Sequence, residues 1–299
     1  MKTPVVIVIY HRPQMTVKVI DSLREVKPSQ IFVIADGPKD KQDVKKCRET
    51  RDLIKSIDWE CKIYKKYSST NLGLRKHVVS GLNWVFSKVD RAIILEDDLV
   101  IDKSFYSFCE EMLEKYKNNE KIISISGNNF LFGRYNVKDS YFFSHHIYSW
   151  GWATWRRAWK LYDDTMSDWS QIKSKKILND RFEGWMELAY WNRIFDLTFE
   201  RKINSWAYAW TYTALVNNKL TVVPSVNLIS NVGTGQGATH TTIKSRVLNV
   251  PIERINFPLK HPKVVKRDEK ADSIIEYTLY ITPRNVAGLI LRFLSNQLK

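Results

Sequence analysis

Short apolar runs, each closed by a turn and followed by a stretch of helical periodicity, organise the first 126 residues of this chain. Val5–Tyr10 carries no charge and ends at His11-Arg12-Pro13, after which Val17, Ile20 and Leu23 recur at helical spacing. Ile31–Ala35 is the next run, stopped by the strong turn signal Asp36-Gly37-Pro38. A charged helical stretch over 40–56 leads to a third strand at Cys61–Tyr64. Ser68, Ser69, Thr70 and Asn71 offer N-caps for a helix with Val78, Val79, Leu82, Val85 and Phe86 on one face. Ala92–Leu95 follows, then a helix with Phe105, Phe108, Cys109, Met112, Leu113 and Tyr116 in one stripe, then a strand at Ile122–Ser126. Continuous apolar runs suit strands buried on both faces. Their alternation with helices predicts an α/β fold, a doubly wound and mostly parallel twisted sheet with helices on both faces.

After Gly127 the pattern changes. Aromatic residues dominate Tyr141–Trp159, helices are expected around 152–162 and 181–200, and Leu220–Val223 reads as a late strand. Residues 233–245, rich in Gly and Thr, read as a loop. Val286, Leu289, Ile290, Phe293, Leu294 and Leu298 form a helical stripe that suits packing on its own domain. With Arg292 and Lys299 nearby, the same stripe allows peripheral membrane association. These shifts divide the chain at 1–127, 128–265 and 266–299.

Composition narrows the choices. At 44% hydrophobic and 26% charged the chain is that of an ordinary globular protein, which argues against disorder. A formal charge of +15 calls for an anionic partner. The basic residues are spread out rather than gathered in an arm, so nucleic acid is not the expected one. Cys47, Cys61 and Cys109 lack metal-ligand spacing and read as reduced thiols of a cytoplasmic protein. The segment before the first strand is too short for a signal peptide or a membrane span.

The candidate chemistry begins where Ala92–Leu95 ends in Glu96, Asp97 and Asp98. Three adjacent carboxylates repel one another and need water or a cation to offset them. Ligands of open α/β sheets collect beyond the carboxyl ends of the strands. A divalent ion under a diphosphate fits there; a solvated turn is the plainer reading. The turns after the first two strands carry Arg12 and Asp36, and parallel strands would gather all three turns at one edge. There is no Gly-rich dinucleotide fingerprint and no Walker loop, which weighs against oxidoreductases and P-loop NTPases.

Several segments, in order, resemble GT-A-fold glycosyltransferases. They are Leu72-Gly73-Leu74-Arg75-Lys76-His77, Ile94-Leu95-Glu96-Asp97-Asp98-Leu99, Ser126-Gly127-Asn128-Asn129 and Ser149-Trp150-Gly151-Trp152-Ala153-Thr154-Trp155, followed by Pro224-Ser225-Val226-Asn227-Leu228, Ala238-Thr239-His240-Thr241 and Phe257-Pro258-Leu259-Lys260-His261-Pro262. The likeness covers about residues 4–265 and is closest to bacterial family-2-type sugar transferases, with a more distant similarity to family-13 N-acetylglucosaminyltransferases. It implies a nucleotide-sugar-binding half over 1–127, an acceptor-binding and catalytic half over 128–265, and a helical extension over 266–299. It further implies that Asp98, with His240, holds Mn²⁺ or Mg²⁺ under the donor diphosphate, and that Glu96 and Asp97 face the donor sugar and ribose. Arg12 and Asp36 would recognise uracil and His77 would lie beside the diphosphate. Trp150 and Trp152 would bound the acceptor by stacking on sugar rings, against the plainer reading of core packing. The expected activity is transfer of a hexosyl or N-acetylhexosaminyl group, the donor a UDP-sugar and the acceptor a glycan, lipid-linked or protein-linked, in bacterial surface glycan synthesis.

One position departs from the resemblance. Where relatives place an Asp, Trp206-Ala207-Tyr208-Ala209-Trp210 has alanines that cannot take a proton. Glu187 is the first substitute base, with Asp163, Asp164 and Asp168 behind it. A sugar nucleotidyltransferase shares the expected fold and metal, and a binding protein that has lost its base is the third reading.

Overall fold

The computed structural model describes residues 2–233, 247–282 and 285. The segments 234–246 and 286–299, which contain His240, Gly235, Gly237 and the C-terminal apolar stripe, lie outside the described residues.

The first half follows the apolar runs. Strand β1 (Val5–Ile9) leads into helix α1 (Pro13–Arg24), with Pro in its first turn, where a missing N–H costs nothing. Strand β2 (Gln30–Ala35) precedes α2 (Lys41–Asp52), capped by Asp40, whose carboxylate accepts the N–H groups of Gln42 and Asp43. Then come β3 (Lys62–Tyr67), α3 (Leu74–Phe86), β4 (Arg91–Glu96), the short β5 (Leu99–Ile101), α4 (Lys103–Lys115) and β6 (Ile122–Ser126). Helix α3 starts later than the Ser68–Asn71 caps suggest; its N-cap is Gly73, at φ 77°, a left-handed conformation that a side chain would strain. In α1 the buried face is Thr16, Val19, Ile20 and Leu23, and Val17 is exposed.

The second half supplies β7 (Tyr141–Ser144), β8 (Trp152–Trp155) and the single-turn α5 (Arg156–Trp159), so the helix expected from 152 begins as a strand. Helices α6 (Trp169–Ser174), α7 (Trp185–Phe199) and α8 (Trp206–Val216) follow, then β9 (Leu220–Pro224), β10 (Ile229–Asn231) and α9 (Glu269–Leu279). Eight strands form one sheet in the order β3-β2-β1-β4-β8-β6-β9-β7. β1 pairs in parallel with both β2 and β4, and β2 with β3. β8 is antiparallel to β4 and β6, and β7 to β9, while β6 and β9 are parallel. The sheet is thus continuous across residue 127.

Trp152 shows why the aromatic segment folds inward. It is 1% exposed, stacked on Trp206 at 5.5 Å between ring centres, with Trp210 at 6.0 Å and Trp159 at 6.2 Å. Large rings fill the space between sheet and helices, where dispersion and dehydration both favour them. Among the described residues, no helix is long and apolar enough to cross a membrane.

Candidate active site

An open parallel sheet has its ligand crevice where the direction of chain winding reverses. Here β1 is flanked by β2, which continues outward to β3, and by β4 on the other side. The reversal therefore lies between β1 and β4. The chain leaving β1 carries Tyr10, His11 and Arg12; the chain leaving β4 carries Asp97 and Asp98. The two segments are joined directly. Arg12 Nη1 donates to Asp98 Oδ2 at 2.8 Å and lies 3.7 Å from Asp97 Oδ1, while the Tyr10 N–H donates to Asp97 Oδ2 at 3.2 Å.

A third segment closes on the acids from the far end of the chain. β10 pairs antiparallel with β5, matching Asn231 to Leu99 and Ser230 to Val100. The Asn231 amide then donates to Asp98 Oδ1 at 3.4 Å, and the Val232 N–H to the Asp98 carbonyl at 2.9 Å. Gly233 is pressed so close that a Cβ there would fall 2.1 Å from Asp98 Oδ2. Neither Asn231 nor this contact of Gly233 is legible from local pattern, because the pairing spans more than a hundred residues.

The electrostatics are those of an over-charged site. Burial, then Asp98 and Asp97, push the Glu96 carboxyl up to about 8, with Arg12 opposing. Burial and Asp98 push Asp97 up to about 7, again against Arg12 and the Tyr10 N–H. Asp98 is also raised by burial, with Arg12 and Asn231 pulling it back. Three carboxylates beside one guanidinium leave net negative charge in a poorly hydrated crevice, which a divalent cation would neutralise. The Asp98 carboxylate fills the position that a Gly233 side chain would take, so only glycine lets the loop close on this acid. The donor set therefore fits a hard, oxygen-preferring cation.

The other sequence candidates are placed differently. Asp36 is 4% exposed, and its oxygens accept from the N–H groups of Gly37, Leu72 and Gly73 and from the Asn71 amide. All four in-plane acceptor positions are engaged, so Asp36 builds the 71–73 loop and presents no free acceptor to a uracil ring. His77, on α3, is 6% exposed with Nδ1 4.0 Å from Asp36 Oδ1. Burial lowers its pKa, with Asp36 opposing, so a neutral ring stands where a basic group was expected. Trp152 is sealed in the core and has no face for a sugar; Trp150 is partly buried against Phe130, 6.2 Å between ring centres.

The substitute bases also separate. Glu187 is 3% exposed, accepts the Glu183 N–H, and has Glu276, Glu183 and His146 as charged neighbours rather than the acids at the end of β4. Asp163 is consumed by Thr165 and Ser167, whose N–H and O–H groups all donate to it; burial opposes them, yet they bring it down to about 2. Asp168 accepts the Tyr212 hydroxyl at 2.6 Å. Asp164 is part-exposed and held by Arg75 at 2.6 Å and by Tyr162, whose hydroxyl also reaches the Trp206 carbonyl at the start of α8. Ala207 and Ala209, the two positions left without an acid, both lie on α8.

In sequence, no protein-family profile and no curated protein matches the chain. The fold is α/β, an eight-stranded, largely parallel sheet whose winding reverses between β1 and β4. Among solved structures it is similar to residues 1–349 of S. aureus TarS, with a TM-score of 0.43 and 12% identity over 75% of this chain and 58% of that one. It is similar also to the mannosyltransferase PcManGT from Pyrobaculum calidifontis, solved with GDP-Man and Mn²⁺, at 0.35 and 14% over 52% and 44% of the two chains. A UDP-glucose pyrophosphorylase complexed with UDP-glucose overlaps at 0.38 and 8%, covering 75% and 90%. The chain thus spans less than two thirds of the first two, and overlaps this loose carry no inference about activity.

Proposed function

We propose that this chain is a metal-dependent glycosyltransferase of GT-A type, moving a sugar from a nucleotide-diphosphate donor, a UDP-sugar first, to a glycan, lipid-linked or protein-linked acceptor. The observation that carries the reading is the convergence of Arg12, Asp97 and Asp98 at the switch point of the sheet, closed over by Asn231 and Gly233. Breaking a sugar–phosphate bond builds negative charge on the departing diphosphate and positive charge on the sugar. Asp98 would hold a bound Mn²⁺ or Mg²⁺, whose Lewis acidity offsets charge on the leaving group.

This chain's own groups do the rest. Arg12 is anchored on Asp98 yet sits at the N-terminus of α1, where its guanidinium and the helix end both favour phosphate oxygens. Asp97 and Glu96, whose carboxyls burial raises to about 7 and about 8, would hold a sugar hydroxyl in either protonation state. For the acceptor proton, Asp164 replaces Glu187 as the acid carried forward, because Tyr162 ties it to the first turn of α8.

The test is a screen of nucleotide-sugars for Mn²⁺-dependent turnover. Release of nucleoside diphosphate that disappears in Asp98→Asn supports transfer. Release of pyrophosphate from a nucleoside triphosphate and sugar phosphate would make the chain a nucleotidyltransferase. Tight UDP binding without turnover of any donor would make it the base-less binding protein that Ala207 and Ala209 allow.

A further inference from the structure

A second group of ionisable side chains lies well away from the crevice, beside β7, which is four strand spacings from β4, about 19 Å at about 4.8 Å each. His145 and His146 follow β7 directly; Glu276 is on α9. All three are buried, at 6%, 0% and 2% exposure. Their donor atoms converge: His145 Nε2 is 2.9 Å from His146 Nε2, and His146 Nε2 is 2.7 Å from Glu276 Oε2. Among the described residues this is the one His/Cys/Asp/Glu trio whose ligand atoms all fall within 4.8 Å of one another.

Distances decide what such a cluster suits. Two donors about 2.05 Å from one tetrahedral ion lie about 3.3 Å from each other. The two recorded separations, 2.9 and 2.7 Å, are shorter, so the ligands would open by about 0.5 Å to admit the ion. Glu276 Oε2 pairs with the His146 ring at 2.7 Å but accepts no aligned hydrogen bond among the described residues, so a buried carboxylate oxygen points into the cluster. An oxygen in that state is costly unless a cation answers it.

The surroundings fix two of the three ligands from behind. Glu276 Oε1 accepts the Trp191 indole N–H at 3.0 Å, which turns Oε2 toward the histidines. The backbone of Arg181 hydrogen-bonds the His145 ring, the outer-shell partner that sets a metal-ligating tautomer. Asp272, one helical turn before Glu276, keeps Oδ2 3.8 Å from His145 Nε2, accepts the His145 N–H, and is held by Arg267 at 2.6 Å. Arg267 Nη2 also lies 3.3 Å from His145 Nε2; its charge is matched by Asp272 and by Glu183, 3.8 Å away.

We propose that His145, His146 and Glu276 bind one Zn²⁺-class divalent ion, which ties the end of β7 to α9. Two imidazoles and a carboxylate are a nitrogen-rich set that prefers zinc to the hard cation of the acidic crevice. The two sites are thereby chemically distinct, and this one does not depend on the activity proposed above.

The experiment uses the full chain with any histidine tag removed, stripped by chelator and titrated with Zn²⁺ alone and then Co²⁺ alone. The expected result is one tightly held equivalent of zinc, a Co²⁺ absorption band, and a melting point that falls on chelation and returns with zinc. Glu276→Gln should weaken zinc by more than about 100-fold, since even outer-shell losses cost about 10- to 100-fold; Asp98→Asn should leave it unchanged. The unaltered protein carries the test should Glu276→Gln fail to fold. Stripped protein that takes up no zinc, with a His146 ring that simply titrates a proton, would overturn the proposal. Loss of the zinc equivalent in Asp98→Asn with retention in Glu276→Gln would do the same.

Discussion

The molecule holds two clusters of buried charge, and they solve the same problem in opposite ways. At the end of β4, two of three successive acids, Asp97 and Asp98, share one guanidinium, and loops from both halves of the chain fold over them. Beside β7, two histidines, two carboxylates and Arg267 interlock, while His146 Nδ1, Asp272 Oδ1 and Glu276 Oε2 accept or donate no aligned hydrogen bond among the described residues. The first cluster keeps surplus negative charge and depends on a visitor to balance it. The second is sealed in the interior, its two carboxylates set against two imidazoles and one guanidinium. Excess charge at a sheet edge marks a place for ligands to come and go; matched charge in the interior marks a fixture.

That contrast can be broken most severely at Asp98. Replacement by Asn should lower donor turnover about 10³-fold, about 4 kcal/mol of lost transition-state stabilisation, in steady-state assays with saturating Mn²⁺. A gain or no change would remove the crevice from the chemistry. Next in size is Trp152→Ala, which should cost about 3–5 kcal/mol in denaturant unfolding, because it empties a stacked core position. If unfolding were unaffected and only acceptor KM rose, Trp152 would be a sugar platform after all. Gly233→Ala follows: its Cβ must displace the Asp98 carboxylate, so Mn²⁺ affinity by calorimetry should weaken about tenfold, a loss of about 1.4 kcal/mol.

Acidity offers a gentler probe. In protein stripped of divalent ions, the Glu96 carboxyl is raised from its ordinary 4.5 to about 8, so the folded state binds that proton more tightly than the unfolded one. Stability should therefore fall as pH rises from about 4.5 to about 8, and Glu96→Gln should flatten the slope of melting point against pH. Saturating Mn²⁺ should flatten it too, by supplying the positive charge. The smallest effect is expected at Glu187: buried beside the histidine cluster, its change to Gln should leave turnover within about twofold. A collapse of turnover would return it to the active site.

What could be read from the sequence follows from where the information sits. β1, β2, β4 and β6 are unbroken apolar runs whose burial on both faces leaves a local signature. β7 and β8 are rows of aromatics, and Trp-Ala-Thr-Trp has no period that separates strand from helix. The three-residue β5 and β10 exist only because they meet each other. The same rule governs the sites. Glu96, Asp97, Asp98 and Arg12 stand at strand ends, where topology alone assigns them an edge. Asp36 stands there too, but its carboxylate is taken by a loop thirty-five residues on. The histidine cluster gave one faint sign, adjacent His145 and His146 inside an aromatic strand region, with Asp272 and Glu276 four apart on a helix far downstream.

The position of β8 carries a last consequence. It is inserted between β4 and β6, although it follows both in the chain. A fragment ending at Gly127 would therefore leave two central strands with bare backbone edges, an invitation to clump with its own copies rather than a freestanding nucleotide module. Both portions of the chain are therefore needed before the sheet beside the Arg12–Asp98 pair is complete.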